Sequence, residues 1–222
     1  MSLVIAIDGP AGAGKSTIAK SVSKKLGSIY VDTGAMYRSI ALFMIRNNVS
    51  KDDKETIARL CKEADVSIKF EDGVQVVLLN GENVNGFIRT EEVGNMASVV
   101  SAVPEVRAHL LDLQRNLAKT NDVVMDGRDI GTCVLPDANP KIYLTASSKV
   151  RAKRRYDELT AKGETCDIDV IEKDIIDRDH RDMTREIAPL KQADDAILVD
   201  SSDMTIAEVE AKIIELAKAA AK

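Results

Sequence analysis

A chain of 222 residues can hold one sizeable α/β core with room for a small inserted unit. Aromatics are only 3% and Trp is absent, which argues against a protein that reads many bases on stacking platforms. The net charge of −5 argues against a general nucleic-acid or membrane-surface binder, and no apolar stretch approaches the length of a bilayer span.

Met1-Ser2-Leu3 runs into a strand with no basic n-region or cleavage site, so the expected compartment is the cytoplasm. Cys61, Cys133 and Cys166 are far apart, odd in number and without metal-ligand spacing; they read as buried free thiols in a reducing cytosol.

The apolar run Leu3-Val4-Ile5-Ala6-Ile7 is closed by Asp8 and reads as a strand. Gly9-Pro10-Ala11-Gly12-Ala13-Gly14-Lys15-Ser16 follows with the spacing G-x-x-x-x-G-K-[ST], and Thr17 continues into a helical pattern. Strand, glycine-rich loop and helix form a phosphate-binding P-loop, because successive backbone N–H groups and a helix N-terminus converge on an anion. Gly9 to Thr17 are therefore the expected nucleotide-phosphate-binding set; Lys15 would reach the β/γ-phosphates and the Ser16 hydroxyl would ligate Mg²⁺.

The first helix carries Ile18, Val22 and Leu26 and stops at Gly27, and Ser28 to Asp32 read as a second strand. Thr33 is the expected N-cap of a helix through Arg46, and another helix starts at Ser50 and buries Ile57, Leu60 and Ala64. The period then changes. Val66 to Phe70 alternate, Asp72-Gly73 is a hairpin turn, Val74 to Leu79 form a second strand, and a third short strand falls near Asn83 to Ile88.

Helices over about 90–101 and 104–118 follow, the second with Pro104 in its first turn and a stripe of Val106, Leu110, Leu113 and Leu117. Short apolar strands return at Val123 to Asp126, Ile142 to Thr145 and Ala196 to Asp200, with helices at about 148–162 and 168–184 between them. Thr205-x-x-Glu208 opens the last helix as a capping box. The expected architecture is a three-layer α/β P-loop NTPase fold with a five-stranded parallel sheet, an antiparallel insert and ligands at the carboxyl ends of the strands.

Three further clusters fall at strand ends. Asp32-Thr33-Gly34-Ala35-Met36-Tyr37-Arg38 places a cation at a helix start, where an anionic partner would offset the macrodipole. In Asp126-Gly127-Arg128-Asp129, Asp126 is placed to hold Mg²⁺ directly or through water, and Arg128 can grip a phosphate bidentately. Arg178, Asp182 and Arg185 share one helix face, with a solvated, salt-bridged surface as the alternative. The basic run Lys149 to Arg155 reads as a mobile lid over polyphosphate, with nonspecific nucleic-acid binding as its rival. His109 and His180 have no nucleophile or carboxylate arrangement and read as ordinary core or surface residues.

In one order the chain carries the P-loop, D-T-G-A-M-Y-R, the stretch Phe87 to Val93, V-M-D-G-R-D-I-G-T, Pro136-Asp137-Ala138, and R-D-x-R-D-x-x-R with Ala188-Pro189-Leu190. Together these resemble the bacterial cytidylate kinase (CMP kinase) family over essentially the whole chain. Thr33 stands where many relatives have Ser, and Ser16 where some have Gly or Thr.

The resemblance implies ATP + CMP ⇌ ADP + CDP in pyrimidine nucleotide metabolism, with dCMP accepted, UMP used poorly and Mg²⁺ required. It implies that Arg38, Arg128 and Arg185 hold the acceptor phosphate, that Ser98, Arg107 and Asp129 read the base, and that Tyr37, Arg178 and Asp182 hold the sugar, with Thr33 in the same CMP-binding set. Lys15, Arg128 and Arg185, with Arg151 and Arg155 from the lid, are the catalytic cations it implies; Arg154 is a further lid candidate.

The implied parts are a core (about 1–32, 104–150 and 185–222), an NMP-binding region (about 33–103, with the insert at about 62–100) and a lid (about 151–170). ATP and CMP or dCMP are the expected partners, without nucleic acid or membrane, and monomer is the default. The rivals are a kinase for another monophosphate, a triphosphate-hydrolysing switch or motor, and a noncatalytic nucleotide sensor. The N-K-x-D tetrapeptide expected of a GTPase does not occur in the chain.

Overall fold

The computed structural model describes residues 3–220; Met1 and Ser2, which the sequence reading places on the approach to the first strand, and the last two residues lie outside them. The chain opens with β1 (Val4–Asp8), in which Ile5, Ala6 and Ile7 are fully buried, as a parallel strand covered on both faces requires. The glycine-rich loop leads into α1 (Lys15–Leu26), which ends on left-handed Gly27 and buries Ile18 and Val22.

After β2 (Ile29–Asp32), α2 spans Thr33–Arg46. Its cap is Asp32, not Thr33: the Asp32 carboxylate accepts the Ala35 N–H at 2.9 Å, and Thr33 is already the first helical residue. The next helix, α3 (Lys54–Leu60), begins later than Ser50 for the same kind of reason, because Asp53 accepts the Thr56 N–H at 3.0 Å. Ile57 is buried on α3, whereas Leu60 is only half-buried, and Ala64 is buried just past a 3-10 turn.

The antiparallel patch contains β3 (Val66–Glu71), β4 (Val74–Leu79) and β5 (Glu82–Asn83). Asp72 and Gly73 both have positive φ, 51° and 75°, which gives the tight turn the sequence anticipates. The third strand is shorter than Asn83 to Ile88. Asn85 takes over the pairing with its side chain, accepting the Val77 N–H and donating to Gln75 O at 3.0 Å each, and the backbone turns away through Val84 to Ile88.

Then come α4 (Glu91–Val100), capped by Thr90, and α5 (Pro104–Thr120). The buried stripe of α5 is Val106, Leu110, Gln114 and Ala118, a strict i, i+4 row; Leu113 and Leu117 are half-buried beside it. A hydrophobic pattern alone passes over the buried Gln114.

The remaining elements are β6 (Val123–Gly127), a π-helical turn at Ile130–Val134, β7 (Lys141–Thr145), α6 (Ser148–Ala161), α7 (Ile168–Thr184), β8 (Ile197–Asp200) and α8 (Ile206–Ala220). The capping box before α8 is reciprocal: the Thr205 N–H donates to Glu208 Oε2 at 2.8 Å and the Glu208 N–H to Thr205 Oγ1 at 3.3 Å. The large sheet is parallel, in the order β2-β6-β1-β7-β8, and Asp8 stands opposite Tyr143 in the β1–β7 register.

The described chain forms two compact units, Leu3–Ser28 with Val124 onward and Ile29–Val123. The first is called the P-loop unit and the second the insert unit below. All three cysteines are free, but only Cys61 is buried. Cys133, on the π-helical turn, is exposed, which corrects the expectation of three buried thiols. Among the described residues no helix is long and apolar enough to cross a membrane.

Candidate active site

In the P-loop unit the backbone of Gly9 runs so close to β7 that a Cβ there would lie 1.9 Å from Leu144 O. Gly14 adopts the left-handed conformation (φ 86°) directly before α1. Among the described residues no side chain caps α1, so its first N–H groups face the loop concavity, the arrangement that receives an anion.

Lys15 is buried, and its Nζ donates to Pro10 O of the same loop at 2.7 Å. Burial pushes its pKa down from 10.5 to about 7; the positive charges of Arg128 and Arg178 add to this, and the negative charges of Asp126 and Asp8 oppose it. Ser16 Oγ donates to Asp126 Oδ2 at 2.8 Å. The two residues expected at a divalent cation are therefore in contact. They offer a hydroxyl and a carboxylate, hard oxygen donors that suit Mg²⁺ when nucleotide phosphates and water complete its shell. Among the described residues no group of three His, Cys, Asp or Glu forms a ready-made protein cage.

The loop after β6 carries a chain of ion pairs. Arg128 Nε donates to Asp182 Oδ2 at 2.9 Å, and Arg185 Nη2 reaches Asp129 Oδ1 at 3.4 Å while its Nε donates to Ala188 O at 2.8 Å. Burial would push the Asp182 carboxyl up, but Arg128, Arg178 and Arg185 together outweigh it and hold the group below its ordinary value. Thus Arg128, Asp129, Arg178, Asp182 and Arg185, expected from two separate stretches, form one electrostatic cluster.

Arg151 is 6% exposed at the start of α6. It donates through Nε to Ala146 O and through Nη1 to Ala11 O, both at 2.8 Å, and it pairs with Asp179 Oδ2 at 2.7 Å. The Ala11 N–H points back to Asp179 Oδ1 at 3.4 Å. The pair therefore braces both polar groups of a P-loop residue. Arg154 donates to Ser201 O at 2.8 Å, and a Cβ on Gly14 would lie 4.0 Å from its Nη1. Arg155 is exposed and pairs with Glu158 at 2.9 Å.

In the insert unit, Thr33 is buried and Tyr37 and Arg38 lie on the first turns of α2. Arg38 Nη1 donates to Ile88 O at 3.1 Å, and Gly94 makes room for its head group: a Cβ there would come 3.1 Å from Nη1. Ser98 stands one turn further along α4 and is half-buried. The Arg107 guanidinium lies 5.5 Å from the centre of the Tyr37 ring, and its Nη1 donates to Ser101 O at 3.2 Å. Asp32 accepts from Arg89 at 2.5 Å, and the Gln75 side-chain amide grips the Asp32 backbone at N (2.9 Å) and O (3.1 Å). His109 holds Ala64 O at 2.8 Å, a packing role.

Three residues with a visible role were missed by the sequence reading. The sequence reads Asp8 only as the end of a strand, Asp179 only as part of R-D-x-R-D-x-x-R, and Gln75 only as part of a strand. The available signal for Asp8 was a carboxylate closing an otherwise apolar strand directly before the loop. Nothing in the sequence distinguishes Asp179 from its neighbours.

A family model described as cytidylate kinase matches residues 5–219. Proteins named cytidylate kinase from Caldicellulosiruptor saccharolyticus and Caldicellulosiruptor bescii are 52% and 51% identical to this chain over 212 residues, 96% of the chain and 94% of each relative. One of the same name from Listeria monocytogenes is 51% identical over 217 residues, 97% of this chain and 96% of its own.

Proposed function

This chain belongs to the cytidylate kinase family, and from that premise we propose that it transfers the γ-phosphoryl group of ATP to CMP or dCMP, giving ADP and CDP or dCDP. The observation that carries this reading is the match at about half identity over nearly the whole chain, because it spans the residues of both units. The geometry supplies the chemistry. A CMP phosphate oxygen is a nucleophile already ionised at pH 7, so no general base is required, and catalysis consists of alignment and charge neutralisation.

On the donor side, the backbone of Gly9 to Thr17 and the α1 N-terminus hold the ATP phosphates, and Lys15 leaves Pro10 O for the β/γ-phosphates. Phosphate charge beside Lys15 favours its protonated form and offsets the burial that depresses its pKa. Ser16 and Asp126 are the residues that would hold Mg²⁺, directly or through water; when bound, the ion neutralises charge on the β- and γ-oxygens. Arg128 and Arg185, with Arg151 and Arg155 from the lid segment, add positive charge for the transferring group.

The proposed CMP set is Thr33, Tyr37, Arg38, Ser98, Arg107, Arg128, Asp129, Arg178, Asp182 and Arg185. Arg38, Arg128 and Arg185 take the phosphate, and Tyr37, Arg178 and Asp182 take the sugar. Asp129, with Ser98 and Arg107, reads the base. A carboxylate accepts from the cytosine 4-amino group, whereas uracil would set a carbonyl against it, a mismatch costing several kcal/mol on the order of an unpaired buried charge. The division into a core, an acceptor region (about 33–103, insert 62–100) and a lid (about 151–170) belongs to the same proposal.

The test is ADP release with ATP and Mg²⁺ in parallel wells containing CMP, dCMP, UMP, AMP, dTMP or no acceptor. Turnover concentrated on CMP and dCMP supports the reading. Equal turnover on AMP overturns the base assignment, and acceptor-independent ADP release overturns the kinase reading itself.

A further inference from the structure

Asp8 belongs to none of the nucleotide-binding sets above, yet it joins two of them. It closes β1 directly before the phosphate loop, and it is 5% exposed. Its Oδ1 accepts the Ile130 N–H at 2.8 Å and its Oδ2 the Gly131 N–H at 2.7 Å. These two amides immediately follow Arg128 and Asp129.

We infer that Asp8 is a positioning residue for the transfer: it fixes the segment that carries Arg128 and Asp129 against the strand that carries the phosphate loop. It thereby sets both the alignment of the reaction and the selectivity for the base. The inference rests on the cytidylate kinase reading for the identity of the substrates.

Two further features of the segment agree. The Asp129 carbonyl accepts from Cys133 N (2.9 Å) and Val134 N (3.1 Å) inside the π-helical turn. The backbone of Asp129 is thus gripped by its own turn, while the next two amides are gripped by Asp8. A Cβ on Gly131 would come 3.1 Å from Lys141 Cδ and 3.4 Å from Asp8 Oδ2, so an added methyl presses first on the Lys141 side chain packed beside the anchor.

The anchor is also held against an electrostatic cost. Burial pushes the Asp8 carboxyl up to about 6, and the charge of Asp129 adds to this despite the two N–H bonds and Lys15. An uncharged side chain would avoid that cost but could not accept both amides in the same way.

The experiment compares wild type with Asp8→Asn and Gly131→Ala. Asparagine keeps the volume and one acceptor but sets an N–H₂ group against a backbone N–H. The added methyl of Gly131→Ala pushes on Lys141 beside Asp8 and so disturbs the same anchor from the loop side. Steady-state kinetics are taken with CMP and with UMP, ATP being varied in each, and the folded fraction is measured by circular dichroism and ATP titration.

For Asp8→Asn the expected result is a kcat on CMP lower by about 10²-fold, a KM for ATP within about threefold of wild type, and a CMP-over-UMP ratio of kcat/KM reduced about tenfold. Gly131→Ala gives the same pattern with smaller changes, and it decides the matter if Asp8→Asn does not fold. An unchanged CMP-over-UMP ratio, or a rise in the KM for ATP matching the loss of kcat, overturns the inference. A wild type without preference for CMP fails the family reading instead, and that failure is visible before either variant is made.

Discussion

The two units treat charge in opposite ways. In the P-loop unit Asp8, Lys15, Asp126, Asp129, Lys141, Arg151, Asp179, Asp182 and Glu210 are all buried, whereas among the described residues of the insert unit only Asp32 is. Burying an ionised group is costly unless it is paired. The P-loop unit meets that requirement with Arg151–Asp179, Arg128–Asp182, Lys141–Asp195 and the Asp8 anchor. In the insert unit, carbonyls hold Arg38 and Arg107, the Tyr37 ring lies under Arg107, and the Gln75 amide ties strand to strand. The difference is that one unit compensates buried charge with counter-charge, whereas the other holds its cations with carbonyls and an aromatic face.

The largest effects are expected in the phosphate loop. Gly9→Ala cannot be accommodated without moving β7, so it should leave little soluble, nucleotide-binding protein, as read by expression yield and ATP titration. Lys15→Met keeps the buried bulk and should lower kcat by about 10³-fold. Because it removes a desolvated ammonium, its Tm should hold or rise; a falling Tm would mean that Lys15 supports the fold as well.

Next comes specificity. Asp129→Ala should lose CMP turnover far more than UMP turnover, narrowing the kcat/KM ratio by about 10²-fold. Equal losses on both acceptors would remove Asp129 from base reading.

A smaller effect contrasts ion pairs in the two units. Asp179→Ala leaves Arg151 buried without its counter-charge and should destabilise by about 3–5 kcal/mol, measured by urea unfolding. It should also raise the KM for ATP more than that for CMP, because Ala11 of the loop loses its brace. The exposed Arg46–Glu82 pair of the insert unit has good geometry (2.5 and 3.0 Å), yet Glu82→Gln should leave the unfolding midpoint unchanged within error.

The smallest effect is a pH dependence. The Asp8 carboxyl, raised from 3.8 to about 6 in the folded protein, imposes its cost in full above pH 6, and the cost fades as pH falls towards 3.8. Asp8→Asn lacks this dependence, so lowering the pH from 7 to 5 should shift the Tm difference in favour of wild type. Asp182 has the opposite sign: it stabilises above the unfolded value of 3.8, and this is lost only as pH falls below it, outside that window. A difference that moves towards the variant between pH 7 and 5 would contradict the Asp8 assignment.

Local chemistry made much of this fold legible from the chain. Positive-φ demand located the Asp72-Gly73 turn and the Gly27 stop, Thr205 and Glu208 announced a capping box, and Pro104 marked a helix start. The P-loop needed only its spacing. What escaped depended on partners distant in sequence. Asp8 meets Ile130 and Gly131 across 122 and 123 residues, and Arg151 meets Ala11 across 140, so no local pattern reveals either contact.

Side chains that substitute for expected patterns were equally hidden. Asn85 replaces strand pairing with its amide, and Gln114 occupies a core position that hydrophobic periodicity assigns to leucine. The candidate cations were legible one by one, but which carboxylate each would meet was not.

The central claim, directed transfer to CMP, is tested most directly by following the label of γ-³²P-ATP in the presence of CMP, Mg²⁺ and the wild-type enzyme. The account predicts that the label appears in CDP, with inorganic phosphate staying at the level seen without enzyme. Label released as inorganic phosphate at the same rate with and without CMP would contradict it.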